Sequence, residues 1–289
     1  MNAVPPLPDS PAPTLLRELH DTVLQRLGDD AHSLHIERAV LGIFFTGVKL
    51  DNGAGGLCAT PVKSVPEAVC CPSSARAMPV PGKIRGRLAT QLLDDLYRPQ
   101  DLRRALAIAV LNALVETLWQ RDGAPASALD GDGDAFDAIG LQPGEQVALV
   151  GAFPPYMRFL RKHGQPFHVL EMDPSTLKPD ELPYYQPADR APQVVPQADV
   201  LVTTGTTLLN GSLDGLLKLL RPGARAAVIG PTATLIPEPY ARRGVAIVGG
   251  TRVLAIDELL ELLAEGGSGY HFFGKTVQRV TLRLPTRAA

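Results

Sequence analysis

The sequence predicts an α/β protein in two parts, a smaller α+β part followed by a parallel, Rossmann-like sheet in the broad sense. Three observations carry this. From residue 147 onward, short continuous apolar runs alternate with amphipathic segments, the pattern of parallel strands covered by helices on both faces. Before residue 122 the pattern is different: strands around a tight turn, then apolar helices. Between them lies DGAPASALDGDGD, residues 122–134, which is acidic, glycine-rich and without apolar periodicity.

The elements follow in order. Residues 1–13, MNAVPPLPDSPAP, read as a flexible Pro-rich tail, with neither the basic nor the apolar region of a signal peptide. Over residues 14–28 one helical face gathers Leu15, Leu16, Leu19, Val23, Leu24 and Leu27, and Gly28 stops the helix. The run from Ala39 to Leu50 is β-branched and aromatic. Asp51-Asn52-Gly53 and a second run from Gly56 to Val62 complete a β-hairpin. Pro72 to Arg87 is a Pro- and Gly-rich loop, either a flap or a surface excursion. ATQLLDDLY and DLRRALAIAVLNALVETLW read as helices, the second serving as core or as a dimer face. The expected domains are the tail 1–13, an α+β domain 14–121, a linker 122–134 and an α/β domain 135–289.

In the second part the strands are QVALVGA, PFHVLEM, ADVLVTTG, RAAVIGPT and VAIVGGTRV. The helices between and after them are PYMRFLRKHG, SLDGLLKLLRPG and IDELLELLAEGG. Open parallel sheets bind ligands beyond the carboxyl ends of their strands, so the strand ends are the candidate site.

Composition narrows the function classes. With 28 basic and 30 acidic residues the net charge is -2, which offers no basic field for nucleic acid. Aromatic residues are 5%, too few for a base-stacking platform. No apolar run approaches the ~20 residues that span a bilayer, and a cytoplasmic protein is expected. Cys58, Cys70 and Cys71 are odd in number and lack CxxC spacing, so neither a disulfide framework nor a zinc site is indicated. The six histidines form no HExxH or two-His-one-carboxylate pattern, and no GxSxG elbow is present.

At the first junction Gly151 ends a strand, and Glu171 ends the next one about twenty positions on, the spacing of a ribose-binding carboxylate. The glycine fingerprint is replaced by Gly151-Ala152-Phe153-Pro154-Pro155-Tyr156, and two prolines remove amide donors that a pyrophosphate needs. Ordinary NAD binding is therefore not expected. An adenosyl cofactor stays open, as does Glu171 merely capping its strand beside an arginine. At the second junction Thr203, Thr204, Thr206 and Thr207 surround Gly205, and Asn210-Gly211-Ser212 precede a helix with Ser212 as N-cap candidate and Asp214 in its first turn. These groups either bind an anion or cap their own backbone. Gly230-Pro231-Thr232 ends the following strand, and Gly249-Gly250-Thr251 adds a fourth edge.

GAFPP, VLEMDP, ADVLVTTGTTLLNGSLDGLL and VIGPTATLIPEPYARRGVAIVGG together resemble a bacterial and archaeal family described as putative heavy-metal chelation. GIFFTGVKL, GLCATP, Gly86-Arg87 and AIAVLNAL fit it in the first half. The resemblance covers nearly all of the chain after the tail. It implies a small domain like the N-terminal domain of enolase, followed by a Rossmann-like domain, with the site in the cleft between them. It carries Gly151, Phe153, Pro154, Glu171, Thr204, Gly205, Thr206, Asn210, Gly211, Gly230, Pro231 and Thr232 as binding positions, with Thr46 and Asn112 added from the first domain. The expected function is binding of a small anionic metabolite or metal chelate, in metallophore or cofactor metabolism. A transferase using S-adenosylmethionine or another nucleoside is the alternative. A metal ion or an adenosyl group is the implied cofactor, and self-association is left open.

Overall fold

The computed structural model describes residues 14–62, 77–129, 131 and 133–285. Helix α1, Thr14–Leu27, turns Leu15, Leu16, Leu19 and Val23 fully inward. Strands β1, Ile36–Leu41, β2, Phe45–Leu50, and β3, Gly55–Ala59, form a small antiparallel sheet in the order β1-β2-β3. The Asp-Asn-Gly turn joins β2 to β3, with Gly53 at φ 84°.

One expected strand, Ala39 to Leu50, is two. The chain reverses at Gly42-Ile43-Phe44, where the Gly42 amide donates to the Phe45 carbonyl at 3.0 Å. A Cβ at Gly42 would lie 2.5 Å from the Leu263 carbonyl oxygen, so only glycine lets this turn sit there. Ile43 and Phe44 are exposed although apolar, which is why the run reads as uninterrupted strand.

Helices α2, Ala89–Leu93, and α3, Asp101–Asp122, follow. Helix α3 is buried on nearly every side between Arg104 and Trp119, because one side packs on β2 and β3 and the other meets α1.

The second sheet comprises β4, Val147–Val150, β5, Phe167–Glu171, β6, Tyr185–Pro187, β7, Val200–Thr204, β8, Arg225–Ile229, β9, Val245–Val253, and β10, Val277–Arg283. Interspersed are α4, Pro154–Lys162, α5, Ala191–Val194, α6, Thr206–Leu209, α7, Leu213–Lys218, α8, Pro237–Arg242, α9, Ile256–Ala264, and α10, Gly269–Phe272. The order is β10-β9-β8-β7-β4-β5-β6, parallel throughout except for antiparallel β10. The architecture is thus mixed α/β, with a small antiparallel sheet and a large, mostly parallel one. Strands proceed from β4 to β6 in one direction and from β7 to β9 in the other. The order reverses between β4 and β7, where the following loops diverge.

The two sheets share hydrophobic core. One cluster runs from α1 and α3 into β7 and β8. Another joins Leu57 of β3 to Ile256, Leu259, Leu260 and Leu263 of α9. Glycines let the helices approach: a Cβ on Gly47 would lie 2.7 Å from the Leu263 side chain. No helix among the described residues is long and apolar enough to cross a membrane.

Candidate functional site

The loops after β4, β7 and β8 meet at the point of strand reversal. Gly151 has φ 96°, and a Cβ there would lie 3.0 Å from Thr204 Cγ2. The Gly205 amide donates to the Ile229 carbonyl at 2.8 Å. A Cβ on Gly205 would be 2.8 Å from the Ala233 nitrogen, and one on Gly230 3.6 Å from the Gly205 nitrogen. Gly151, Thr204, Gly205 and Gly230 therefore form one contiguous line along the carboxyl edge. Phe153 is the N-cap residue of α4 and Pro154 begins it, where a missing amide proton costs nothing.

Glu171 ends β5 and is half-buried. Its Oε2 accepts the Ala152 amide at 3.1 Å, and its Oε1 accepts the amides of Met172 at 2.8 Å and Asp173 at 3.4 Å. The carboxylate ties the first loop to the end of β5 through backbone amides rather than an arginine. Both oxygens of the residue on which an adenosyl reading rests are engaged in this way.

The hydroxyl cluster is largely self-contained. Thr203 Oγ1 and Thr207 Oγ1 are 3.1 Å apart, and Thr207 donates to the Thr204 carbonyl at 2.7 Å. Thr206 Oγ1 donates to Thr204 Oγ1 at 3.2 Å. Ser212 occupies the N-cap of α7, but its hydroxyl donates to Asn210 Oδ1 at 2.7 Å and caps no helix amide. Gly211, at φ 76°, permits that turn. The segment forms two short helices, α6 of four residues and α7 of six, where one amphipathic helix was expected.

Of the remaining expected residues, Thr232 and Asn112 stitch the two sheets together, whereas Thr46 bonds within the small-sheet half. Thr232 is 1% exposed, and its Oγ1 accepts the Ala59 amide of β3 at 3.1 Å. Asn112 Nδ2 donates to the carbonyls of Leu57 at 2.9 Å and Pro231 at 3.4 Å, while its buried Oδ1 has no partner among the described residues. Thr46 is fully buried, its hydroxyl 3.0 Å from that of Thr60.

A cavity of about 160 Å³ opens beside this line, sharing Gly230 with it and adding Pro231. Its other walls come from Asp134 and Ala135, from α4, from Phe273 and from β9 and β10. Arg279 pairs with Thr251 across the β9–β10 ladder, and Thr281 pairs with Gly249, so these residues share one face. The Arg279 guanidinium carbon lies 4.3 Å from the Phe273 ring centroid. Among the described residues no carboxylate stands within ion-pair distance of it. Asp134 Oδ1 accepts the Phe136 amide at 2.8 Å and the Tyr156 hydroxyl at 2.8 Å. The Tyr156 ring stacks between Phe136, with centroids 4.4 Å apart, and Phe153, at 5.1 Å. Burial pushes the Tyr156 phenol well above its ordinary range, and the Asp134 charge adds to this. Tyr156 therefore remains a proton donor to Asp134.

Asp134, Tyr156, Arg279 and Thr281 were absent from the sequence-derived site. Asp134 reads as linker, and Tyr156 as an ordinary helix residue. The alternation in TVQRVTLRL is the available signal for a strand with Arg279 and Thr281 on one face.

A directly bound heavy metal would need soft or nitrogen donors gathered at one point. Among the described residues no group of three or more His, Cys, Asp or Glu side chains is gathered as metal ligands. Cys58 is fully buried, and desolvation pushes its thiol up to about 12, so it stays protonated. Cys70 and Cys71 lie outside the described residues. His35 is paired with Asp51 at 3.1 Å, and His163 Nδ1 lies 2.8 Å from the Phe159 carbonyl. These residues do not fit a protein-chelated soft metal.

Comparison with known proteins places the chain. A family model described as putative heavy-metal chelation matches residues 134–282, and a second model with the same description matches residues 24–115. An uncharacterised protein of Methanocaldococcus jannaschii is 26% identical over 180 residues, 60% of this chain. That match spans 63% of the relative's length, less than two thirds. Two solved structures of proteins of unknown function from the first family share the fold. The one from Desulfitobacterium hafniense has a TM-score of 0.70 at 17% identity, covering 93% of this chain and 98% of the other. The one from Pyrococcus horikoshii has a TM-score of 0.74 at 18% identity, covering 94% and 100%.

Proposed function

The chain belongs to the family described as putative heavy-metal chelation, and from that membership we propose that it binds a small anionic metabolite, alone or already holding a metal, at the carboxyl edge of the large sheet. The observation that carries this reading is Arg279, a guanidinium without a carboxylate partner among the described residues, lining a cavity next to Gly230 and Pro231. A guanidinium fork recognises carboxylates in two-point fashion. With no three metal-binding side chains gathered among the described residues, the reading divides the labour: the metabolite coordinates the metal and the protein holds the metabolite. The contiguous line of Gly151, Thr204, Gly205 and Gly230 runs along the same edge and reaches the cavity at Gly230.

Equilibrium dialysis against nickel(II), citrate, and the two together tests this. Citrate, with or without nickel, is expected to be retained at one per chain, and nickel alone is not. Stoichiometric retention of bare nickel without any effect of citrate would overturn it.

A further inference from the structure

We infer that the cavity recognises an aminocarboxylate, a ligand bearing a protonated amine beside its carboxylate. This deepens the anion reading above and rests on it. Two opposite charges line the same cavity. Arg279 supplies the positive one, held over the Phe273 ring. Asp134 supplies the negative one, and its hydrogen bonds are lopsided. Oδ1 takes both the Phe136 amide and the Tyr156 hydroxyl, while Oδ2 takes no donor among the described residues.

The lopsidedness has a use. Two donors on one oxygen fix the orientation of the carboxylate, and the aromatic stack of Phe136, Tyr156 and Phe153 fixes the Tyr156 donor. No described lysine or arginine stands within ion-pair distance of Asp134. A purely anionic ligand satisfies Arg279 but faces the Asp134 charge unscreened. An ammonium adjacent to the ligand carboxylate removes that repulsion and adds a charge-assisted hydrogen bond. The hydroxyl of Thr281 does not compete, because it donates to the Gly133 carbonyl at 3.1 Å. A carboxylate on Arg279 and an amine on Asp134 make an address for amino acids and for amine-containing chelators alike.

The test uses a matched pair, iminodiacetate and oxydiacetate, which differ only in an amine or an ether at the centre. Both are titrated calorimetrically into full-length protein in metal-stripped buffer at pH 7. Iminodiacetate is expected to bind at least tenfold more tightly than oxydiacetate. Asp134→Asn keeps an acceptor for Tyr156, and it should abolish that preference while leaving oxydiacetate unchanged or tighter. Arg279→Gln should weaken both. Equal binding of the two probes by the wild type would overturn the aminocarboxylate inference and leave the anion reading standing. Binding of neither would overturn both. A preference that survives in Asp134→Asn would also refute the role of Asp134, and near-ultraviolet circular dichroism of that variant shows whether the aromatic stack is retained.

Discussion

Glu116 on α3 and Arg252 on β9 meet in a two-point ion pair that joins the small-sheet half to the large sheet. Arg252 Nε lies 2.9 Å from Glu116 Oε2, and its terminal nitrogen 2.6 Å from Oε1. The Glu116 side chain is 6% exposed, and the guanidinium carbon of Arg252 lies 5.1 Å from the Trp119 ring centroid. Removing one partner of a buried pair leaves an uncompensated charge. Arg252→Ala is expected to cost about 3 kcal/mol in urea unfolding, towards the lower end for such a deletion because Arg252 is itself partly exposed. Arg252→Lys, which keeps charge but loses the fork, should fall between. An unchanged urea midpoint in Arg252→Ala would show that this pair does not tie the halves together.

Gly56 fixes how closely the small sheet lies on α3. A Cβ there would stand 2.0 Å from the Ala109 carbonyl oxygen and 2.3 Å from the Ala113 nitrogen, both backbone atoms. Relief requires moving a strand or a helix, not rotating a side chain. Gly56→Ala should lower stability by more than about 3 kcal/mol. Gly53→Ala, in the open turn at φ 84°, should cost only about 1 kcal/mol from backbone strain. Thermal melts of the two variants side by side give the comparison, and equal losses would contradict it.

Much of this fold is legible in the sequence because parallel strands announce themselves as apolar runs between helices. The hairpin turn, the proline start of α4 and the position of Glu171 at a strand end are read the same way. The reversal at Gly42 is not, since Ile43 and Phe44 are apolar yet exposed. The edge strand β10 is missed because the strand–helix alternation does not require a closing antiparallel strand. The candidate site suffers from both limits. Glycines at strand ends mark the carboxyl edge, but sequence cannot tell whether the hydroxyls of Thr203, Thr206 and Thr207 face a ligand or one another. Arg279 lies on a strand whose alternation is readable but was not anticipated, and Asp134 lies in an acidic, glycine-rich stretch without apolar periodicity.

Glu18 should shape the acid limb of stability. Its hydrogen bond to Arg243 holds its carboxyl below the usual range, with Arg242 adding to this. A carboxylate with a lowered folded pKa contributes stability that is present above its unfolded value, near 4.3, and is lost as pH falls through the folded value. The side chain is 31% exposed, so the contribution is about 1 kcal/mol or less. The difference in melting temperature between wild type and Glu18→Gln should be constant from pH 6 to 7 and shrink below pH 4. A difference that grows on acidification would reverse the assignment.

The most direct test of ligand binding at the carboxyl edge is calorimetric titration of citrate into the wild type and Arg279→Gln. Arg279 is exposed and carries no structural ion pair among the described residues, so the variant should melt with the wild type. Its citrate affinity is expected to fall at least tenfold, about 1.4 kcal/mol. Equal citrate affinity in the two proteins would contradict the assignment of this cavity.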